Sequence, residues 1–235
     1  RMGAEIYQTI GENLKRRGAI HSVGDEGGFA PNLFTNSDAF EVFIESIRQT
    51  TYSLGRDVFL GLDVAANSFY KDGEYSIKDK TTGLDDDQLL EYFKNTVEQY
   101  KLAIIEDPFQ EDAWDSWKKL FAELSSQLII VGDDLLATNP KRVEKAIKEN
   151  ACNAILIKPN QIGTVTETLN VINMARNANW KVVVSHRSGE TNDSFIADFA
   201  VGVSADYVKF GAPARGERVA KYNRLSAIEM ELPRG

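Results

Sequence analysis

This chain of 235 residues contains one cysteine and two histidines, so it has few of the residues that several common kinds of site require. With Cys152 as the single cysteine, no disulfide can form within the chain, and nothing indicates an oxidising compartment. The two histidines leave little material for a zinc site. No apolar run approaches the ~20 residues of a membrane-spanning helix, so we expect no membrane span.

The chain also lacks an excess of positive charge, because 27 Lys and Arg residues against 35 Asp and Glu residues give a formal net charge of −8 at pH 7. This balance argues against a nucleic-acid partner. The glycine-rich segment 24–28 matches neither the phosphate loop G-x-x-x-x-G-K-[ST] nor the dinucleotide fingerprint G-x-G-x-x-G. A doubly wound sheet, which would carry such glycines in its first βα turn, is therefore the weaker structural alternative.

The sequence does contain six short apolar runs that each end on a charged or ionisable residue. These end residues are Asp63, Glu106, Asp133, Lys158, His186 and Lys209. Helical patterns separate the runs, which is typical of βα units and a parallel sheet. In a parallel α/β barrel, polar groups at the C-terminal ends of the strands form the active-site face. We therefore predict an α/β fold, a TIM-type (β/α) barrel with about six βα units after a leading helix, incomplete on its N-terminal side because eight units close a barrel.

Local signals predict where the helices begin and end. The first helix starts near Met2, with Gly18 at its end, and Ser37 or Asp38 is expected to cap a second helix that reaches about Tyr52. Further helices are predicted at 86–100, 112–124, 139–148, 164–178, 191–201 and from 217 onward. Asp112 is the expected cap of the 112–124 helix, and residues 70–75 predict a small hairpin.

Three acidic residues, Asp63, Glu106 and Asp133, come at the ends of three successive predicted strands. Each one alone could be a helix cap or a member of a structural ion pair. Together, three carboxylates at one barrel mouth would repel one another unless a cation lay between them. Oxygen ligands of this kind suit Mg²⁺, so the pattern predicts a magnesium site.

Two lysines and one glutamate are candidates for proton transfer. Lys158 follows an apolar strand, where desolvation and a nearby cation would lower its pKa toward that of a working base. Lys209 has the same setting, with a snorkelling surface lysine as the alternative. Glu26 lies in the glycine-rich loop and could protonate a leaving group, although a role in stabilising the turn explains it equally well.

The segment 185–191, Ser-His-Arg-Ser-Gly-Glu-Thr, follows a predicted strand and leads into a predicted helix. Arg187, Ser188 and backbone N–H groups at a helix N-terminus would form an anion site suited to phosphate. A Ser–His–Asp hydrolase is the competing interpretation. It is disfavoured because adjacent Ser185 and His186 would point to opposite faces of a strand, and because no nucleophile elbow is present.

Several of these segments closely resemble the enolase family, in order along essentially the whole chain. They are residues 23–32, 61–63, 105–109, 132–135, 156–167, 185–191 and 211–218. The resemblance implies a Mg²⁺-dependent lyase that reversibly dehydrates 2-phospho-D-glycerate to phosphoenolpyruvate in glycolysis and gluconeogenesis. Another lyase or racemase of the same superfamily, and a non-catalytic fragment that acts as a binding module, are the alternatives.

The resemblance also implies roles for individual residues. Asp63, Glu106 and Asp133 would hold Mg²⁺, Lys158 would take the α-proton, and Glu26 would help to expel the C3 hydroxyl as water. Arg187 and Ser188 would hold the phosphate, and His186 and Lys209 would contact the substrate. The full set of implied substrate contacts is Glu106, Asp133, Lys158, His186, Arg187, Ser188 and Lys209.

For the domain organisation, the resemblance implies that residues 1–235 are part of the family's C-terminal catalytic barrel domain. The N-terminal α+β domain of the family, with the serine that binds a second Mg²⁺, has no counterpart in the printed sequence, so we expect a truncated fragment with little or no turnover by itself. The family further implies a homodimer or higher homo-oligomer for the full-length protein. It implies a cytoplasmic location, with the cell surface or secretion as further possibilities.

Overall fold

The structure is a computed structural model that describes residues 1–232. It divides into two compact units, which are described separately below. Unit 1 comprises Arg1–Ser53 and the described residues from Val184 onward, and unit 2 comprises Leu54–Val183. No helix within residues 1–232 is both long enough and apolar enough to cross a membrane.

The helices and strands follow one another in a largely alternating order. In chain order they are α1 (Met2–Arg16), α2 (Asn36–Arg48), β1 (Gly61–Asp63), a 3₁₀ turn (Ala66–Phe69), β2 (Tyr70–Lys71), β3 (Glu74–Tyr75), α3 (Asp86–Tyr100), β4 (Ile104–Glu106), α4 (Trp114–Leu124), β5 (Ile129–Gly132), α5 (Pro140–Glu149), β6 (Ala154–Ile157), α6 (Pro159–Ile162), α7 (Val165–Asn177), β7 (Lys181–Ser185), α8 (Phe195–Gly202), β8 (Tyr207–Lys209) and α9 (Gly216–Glu231).

A parallel sheet of six strands carries the fold, in the order β1-β4-β5-β6-β7-β8, and β2 pairs with β3 as the predicted hairpin. Within unit 2, β1, β4, β5 and β6 pair in parallel, and within unit 1 the His186 N–H that follows β7 donates to the Lys209 carbonyl at 2.9 Å. Successive strands are added on one side without a reversal, whereas a doubly wound sheet reverses at a switch point. The predicted α/β fold is therefore confirmed, as an incomplete TIM-type barrel.

The apolar runs of the inner strands suit a parallel sheet that is covered on both faces, whereas the outer strands β1 and β8 are largely exposed. All four residues of β6 are buried. In unit 2, Val131, Ala154, Leu156 and Val183 form a buried core cluster, against which the partly buried Ile104 and Ile129 pack. Burying one such aliphatic side chain contributes about 1.5–3 kcal/mol. This packing holds the ends of β4, β5 and β6 in place.

Two helix starts agree with the predictions. The Asn139 side chain accepts a hydrogen bond from the Lys141 N–H at the start of α5, and Pro140 occupies the first turn. The Thr164 side chain accepts from the Glu167 N–H at the start of α7.

Two other predicted caps are wrong. Thr35 rather than Ser37 or Asp38 caps α2, because Thr35 and Asp38 form a reciprocal capping box, and this helix ends at Arg48 well before Tyr52. Asp112 does not cap α4, which follows Ala113. Its carboxylate instead accepts from Arg142 at 3.0 Å.

The helix predicted at 191–201 begins later, since α8 starts at Phe195. The Thr191 hydroxyl accepts a hydrogen bond from the Asp193 N–H at 3.2 Å, and the Asp193 carboxylate accepts from the Phe195 N–H at 2.7 Å. These short-range side-chain bonds offer the backbone an alternative to the helix. The predicted anion site required a helix N-terminus directly after Arg187 and Ser188. Because α8 begins only at Phe195, that part of the prediction is wrong.

Candidate active site

In unit 2, the predicted metal ligands lie at or just beyond the C-terminal ends of neighbouring strands. Asp63 and Glu106 are register partners at the ends of β1 and β4, and Asp133 follows the end of β5, the next strand in the sheet. Asp63 is exposed, whereas Glu106 and Asp133 are buried, with 6% and 9% of their surface exposed. The sheet therefore presents the three carboxylates along one edge.

The structure forms an acidic group that differs from the predicted trio. Within residues 1–232, the carboxylate oxygens of Asp107, Asp133 and Asp134 lie within 4.8 Å of one another, a separation that a single metal ion could bridge. This group shares only Asp133 with the predicted set. Asp107 comes directly after Glu106, so both sets use the ends of β4 and β5, and only the predicted set includes the end of β1.

Asp107 was not expected from the sequence, and its contacts indicate a structural role at this edge. One carboxylate oxygen accepts the backbone N–H of Asp133 at 2.9 Å, and the other accepts the N–H of Asp134 at 2.7 Å. Burial raises the pKa of Asp107 to about 8, and the two N–H donors act in the opposite direction. Because both oxygens are engaged by the backbone, Asp107 fixes the turn that carries Asp133.

Asp133 pairs with the predicted base. The Lys158 Nζ donates to Asp133 Oδ2 at 2.6 Å, and both side chains are largely buried. The backbone N–H of Lys158 donates to the fully buried Thr138 hydroxyl at 3.0 Å, which fixes the start of the lysine side chain. Asp133 and Lys158, which the sequence analysis assigned to one site, are therefore in direct contact.

The second carboxylate oxygen of Asp133 indicates whether a metal ion would fit at this site. Asp133 Oδ1 is buried and has no hydrogen-bond partner among the described residues. A buried carboxylate oxygen without a partner is costly, and an added cation would satisfy it. With Asp134 next to Asp133 in the chain, and Glu106 at the end of the neighbouring strand β4, the donor set fits a hard divalent cation such as Mg²⁺.

In unit 1, Glu26 lies among hydrogen-bond donors. Its Oε1 accepts from the Ser188 hydroxyl at 2.8 Å, and its Oε2 lies 3.3 Å from His186 Nε2. The hydrogen bond from His186 lowers the pKa of Glu26 to about 2, against the opposing effect of burial, and Ser188 and the charge of Lys209 lower it further. In this arrangement Glu26 is an ionised acceptor at neutral pH.

The loop that carries Glu26 is held by the backbone on both sides. The Ala212 N–H donates to the Glu26 carbonyl at 2.9 Å, and the Tyr7 hydroxyl donates to the Gly27 carbonyl at 2.8 Å. Gly27 has a φ of +83°, and a Cβ there would lie 2.6 Å from the Ala214 carbonyl oxygen. Both the backbone conformation and the lack of space therefore require glycine beside Glu26.

The segment that carries the predicted phosphate contacts is tied down by Glu190. One Glu190 oxygen accepts the Arg187 N–H at 3.1 Å, and the other accepts Lys221 Nζ at 2.6 Å. The Ser185 hydroxyl donates to the carbonyl of His186 at 2.9 Å rather than to an imidazole, which argues against the hydrolase alternative. Unit 1 thus brings together Glu26, His186 and Ser188, with Arg187 on the same segment.

A comparison with known protein families bears on this arrangement. The family model described as "Enolase, C-terminal TIM barrel domain" matches residues 1–235. The chain therefore belongs to this family. Membership supports a lyase-type enzyme of the enolase superfamily and is compatible with the acidic cluster as a metal site.

Proposed function

We propose that this member of the family is the catalytic part of a phosphopyruvate hydratase, which dehydrates 2-phospho-D-glycerate to phosphoenolpyruvate with Mg²⁺. The observation that carries the proposal is the 2.6 Å contact between Lys158 and Asp133, whose other oxygen is buried and has no hydrogen-bond partner in the part of the chain that the structure describes. A candidate base and a candidate metal ligand are thus adjacent at the ends of parallel strands. The phosphorylated substrate is favoured because the segment 185–191 matches the family motif and supplies Arg187 and Ser188.

Within unit 2, the proposed roles are those that the family resemblance implies, and the charge and position of the residues support them. Asp63, Glu106 and Asp133 would hold Mg²⁺, which when bound would neutralise the substrate carboxylate and so acidify the α-proton. Lys158 would accept that proton at Nζ. To do so, Lys158 must first be a neutral amine, because an ammonium has no lone pair with which to accept a proton.

Within unit 1, Glu26 would assist the departure of the C3 hydroxyl. As placed, its carboxylate accepts from His186 and Ser188, so it must exchange these contacts and gain a proton before it can act as an acid. Hydrogen bonds in substrate-free sites commonly rearrange in this way. Arg187 and Ser188 would bind the phosphate, and His186 and Lys209 would contact the substrate.

The proposal is tested by assaying formation of phosphoenolpyruvate from 2-phosphoglycerate with Mg²⁺ and after chelation. The assay compares two proteins: this chain by itself, and this chain fused after an N-terminal domain of the family. Chelator-sensitive turnover supports the proposal. Turnover of an unphosphorylated hydroxy acid instead would indicate another superfamily reaction, and Mg²⁺ binding without turnover in either form would favour a non-catalytic binding module.

From the family resemblance, we also propose that the reaction belongs to glycolysis and gluconeogenesis in the cytoplasm, and that the full-length protein is a homo-oligomer. Fractionation of the source cells and sedimentation of the full-length protein would test these two points directly.

A further inference from the structure

Arg218, at the start of α9, has its charged group almost completely enclosed. Only 1% of the residue is exposed, and its guanidinium makes four hydrogen bonds. Nη1 contacts His186 Nδ1 and the Arg187 carbonyl, both at 2.7 Å. Nη2 donates to the carbonyls of Asp25 at 2.8 Å and Ser188 at 2.7 Å. Arg218 therefore joins the Glu26 loop to the segment that follows β7.

The contact with His186 determines where the imidazole carries its proton. A guanidinium stays protonated in proteins and can only donate. His186 Nδ1 must therefore accept through its lone pair, which leaves the single proton of the neutral ring on Nε2. Nε2 faces Glu26 Oε2 at 3.3 Å, and an ionised carboxylate is a suitable acceptor. One tautomer thus satisfies both sides of the ring.

We propose that Arg218 is a positioning residue that holds His186 in its neutral, Nε2-protonated tautomer, as a hydrogen-bond donor toward Glu26. The alternative is a doubly protonated ring that forms an ion pair with Glu26. That state would place the Nδ1–H against the N–H of Arg218 at 2.7 Å, which sets two donors and two positive charges face to face. Lys209, whose charge acts on Glu26, adds a further positive charge in this unit.

Packing around Gly211 supports the same arrangement. Gly211 has a φ of +83°, and a Cβ there would lie 2.9 Å from Arg218 Cδ and 3.1 Å from His186 Cε1. It would also lie 2.6 Å from the Glu26 carbonyl oxygen. The absence of a side chain at Gly211 therefore allows the ring, the guanidinium and the Glu26 backbone to approach one another.

This assignment has a consequence for catalysis that rests on the proposed function. If His186 contacts the substrate, a neutral Nε2–H offers a hydrogen bond without an additional full charge. It also means that His186 does not supply the proton for the leaving hydroxyl, because neutral imidazole is a very poor acid. Glu26 would then remain the candidate acid in unit 1.

The histidine content makes the tautomer directly measurable. The chain has two histidines, so after selective ¹⁵N labelling only the buried His186 and the exposed His21 contribute ring signals. We expect long-range ¹H–¹⁵N spectra at neutral pH to show His186 with an unprotonated Nδ1 and a protonated Nε2. His21 serves as the internal reference. A protonated Nδ1 in His186, in either the other tautomer or the doubly protonated ring, would overturn the proposal.

The role of Arg218 is tested by Arg218→Met, with Arg224→Met as the matched control. Arg224 lies on the same helix but pairs with Asp198 at 2.6 Å, so its loss is expected to leave the His186 pattern unchanged. In folded Arg218→Met, we expect His186 to lose the single-tautomer pattern while His21 is unaffected. An unchanged Nε2–H pattern would show that Arg218 does not set the tautomer.

A measurement on the unsubstituted chain covers the case in which Arg218→Met does not fold. A scalar coupling across the hydrogen bond between Arg218 Nη1 and His186 Nδ1 would support the contact, and its absence would contradict it. Because these spectra are recorded without substrate, they are independent of turnover. Failure to dehydrate 2-phosphoglycerate would count against the proposed function, and a wrong tautomer would count against this inference.

Discussion

The carboxyl groups of Asp107 in unit 2 and Glu26 in unit 1 are chemically alike, yet their pKa values move in opposite directions. Burial raises the pKa of Asp107 to about 8, with Asp133 and Asp134 adding repulsion. The hydrogen bond from His186 lowers the pKa of Glu26 to about 2, although burial opposes it. Asp107 is deeply buried beside two other carboxyl groups, whereas Glu26 is less buried and accepts from the His186 and Ser188 side chains.

This difference indicates which kind of group would stabilise the acidic cluster of unit 2 and which kind the residues around Glu26 in unit 1 would bind. Among the described residues, Lys158 pairs with Asp133 of the acidic cluster, yet the other Asp133 oxygen is buried with no hydrogen-bond partner, so additional positive charge would stabilise the cluster. The cluster around Glu26 has donors from His186 and Ser188 and therefore favours an acceptor. The contrast agrees with the proposal of a metal site in unit 2 and of substrate contacts in unit 1, and the following substitutions test it.

The largest effect is expected when the lysine of the acidic cluster is removed. Lys158→Ala in a catalytically active form of the protein should lower the rate of dehydration by about 100-fold or more, because a general base contributes at least that much. Substrate binding, measured separately by calorimetry, should persist. Lys148→Ala, which removes an exposed lysine near the end of α5, is the control. If Lys158→Ala kept more than about a tenth of the rate, Lys158 would not be the base.

A smaller but still large effect is expected on metal affinity. Asp133→Asn removes one formal charge at nearly constant shape, and we expect Mg²⁺ to bind at least about 10- to 100-fold more weakly, the loss that even outer-shell partners of a metal produce. Isothermal titration calorimetry of Asp133→Asn beside Asp134→Asn measures this. Unchanged affinity in the first variant together with a loss in the second would transfer the ligand role to Asp134.

Asp107 should affect folding as well as the site. Asp107→Ala leaves the N–H groups of Asp133 and Asp134 without their acceptor, so we expect the free energy of unfolding in urea to fall by about 1–3 kcal/mol. Asp115→Ala is the control, because the exposed Asp115 pairs only at the surface and should change stability by about 0.5 kcal/mol or less. Equal stability of the two variants would mean that Asp107 does not hold the turn.

The sequence predicted those features that depend on neighbouring residues. Apolar runs predicted the strands, and Asn139-Pro140 and Thr164 predicted helix starts, because each signal acts within a few positions. Asp193 also acts over a short distance in the chain, because its carboxylate accepts from the Phe195 N–H where α8 begins. The sequence could have suggested this Asx-type turn.

Partners that are distant along the chain could not be predicted in this way. Arg218 is 32 positions from His186, and Glu26 is 162 positions from Ser188. An arginine in the first turn of a helix reads as a surface residue, since arginine is rarely buried unless paired. Its burial against carbonyl groups results from the packing of α9 within unit 1, which no local pattern encodes. Asp63, Glu106 and Asp133 could be proposed as metal ligands from the sequence because they end strands, whereas the contacts by which Asp107 holds the turn at Asp133 could not.

The smallest expected effect is the contribution of Glu26 to the pH dependence of stability. Its pKa is lower in the folded state, at about 2, than its ordinary value of 4.5, so the folded state favours the ionised form. The resulting stabilisation is present above about pH 4.5 and is lost as the pH falls toward 2. Because 44% of the side chain is exposed, solvent screening keeps it modest. Urea unfolding of the unsubstituted chain and Glu26→Gln should therefore differ near neutral pH and converge in acid. A difference that is independent of pH would mean that the donors around Glu26 do not select its charged form, and the contrast with Asp107 would then rest on burial alone.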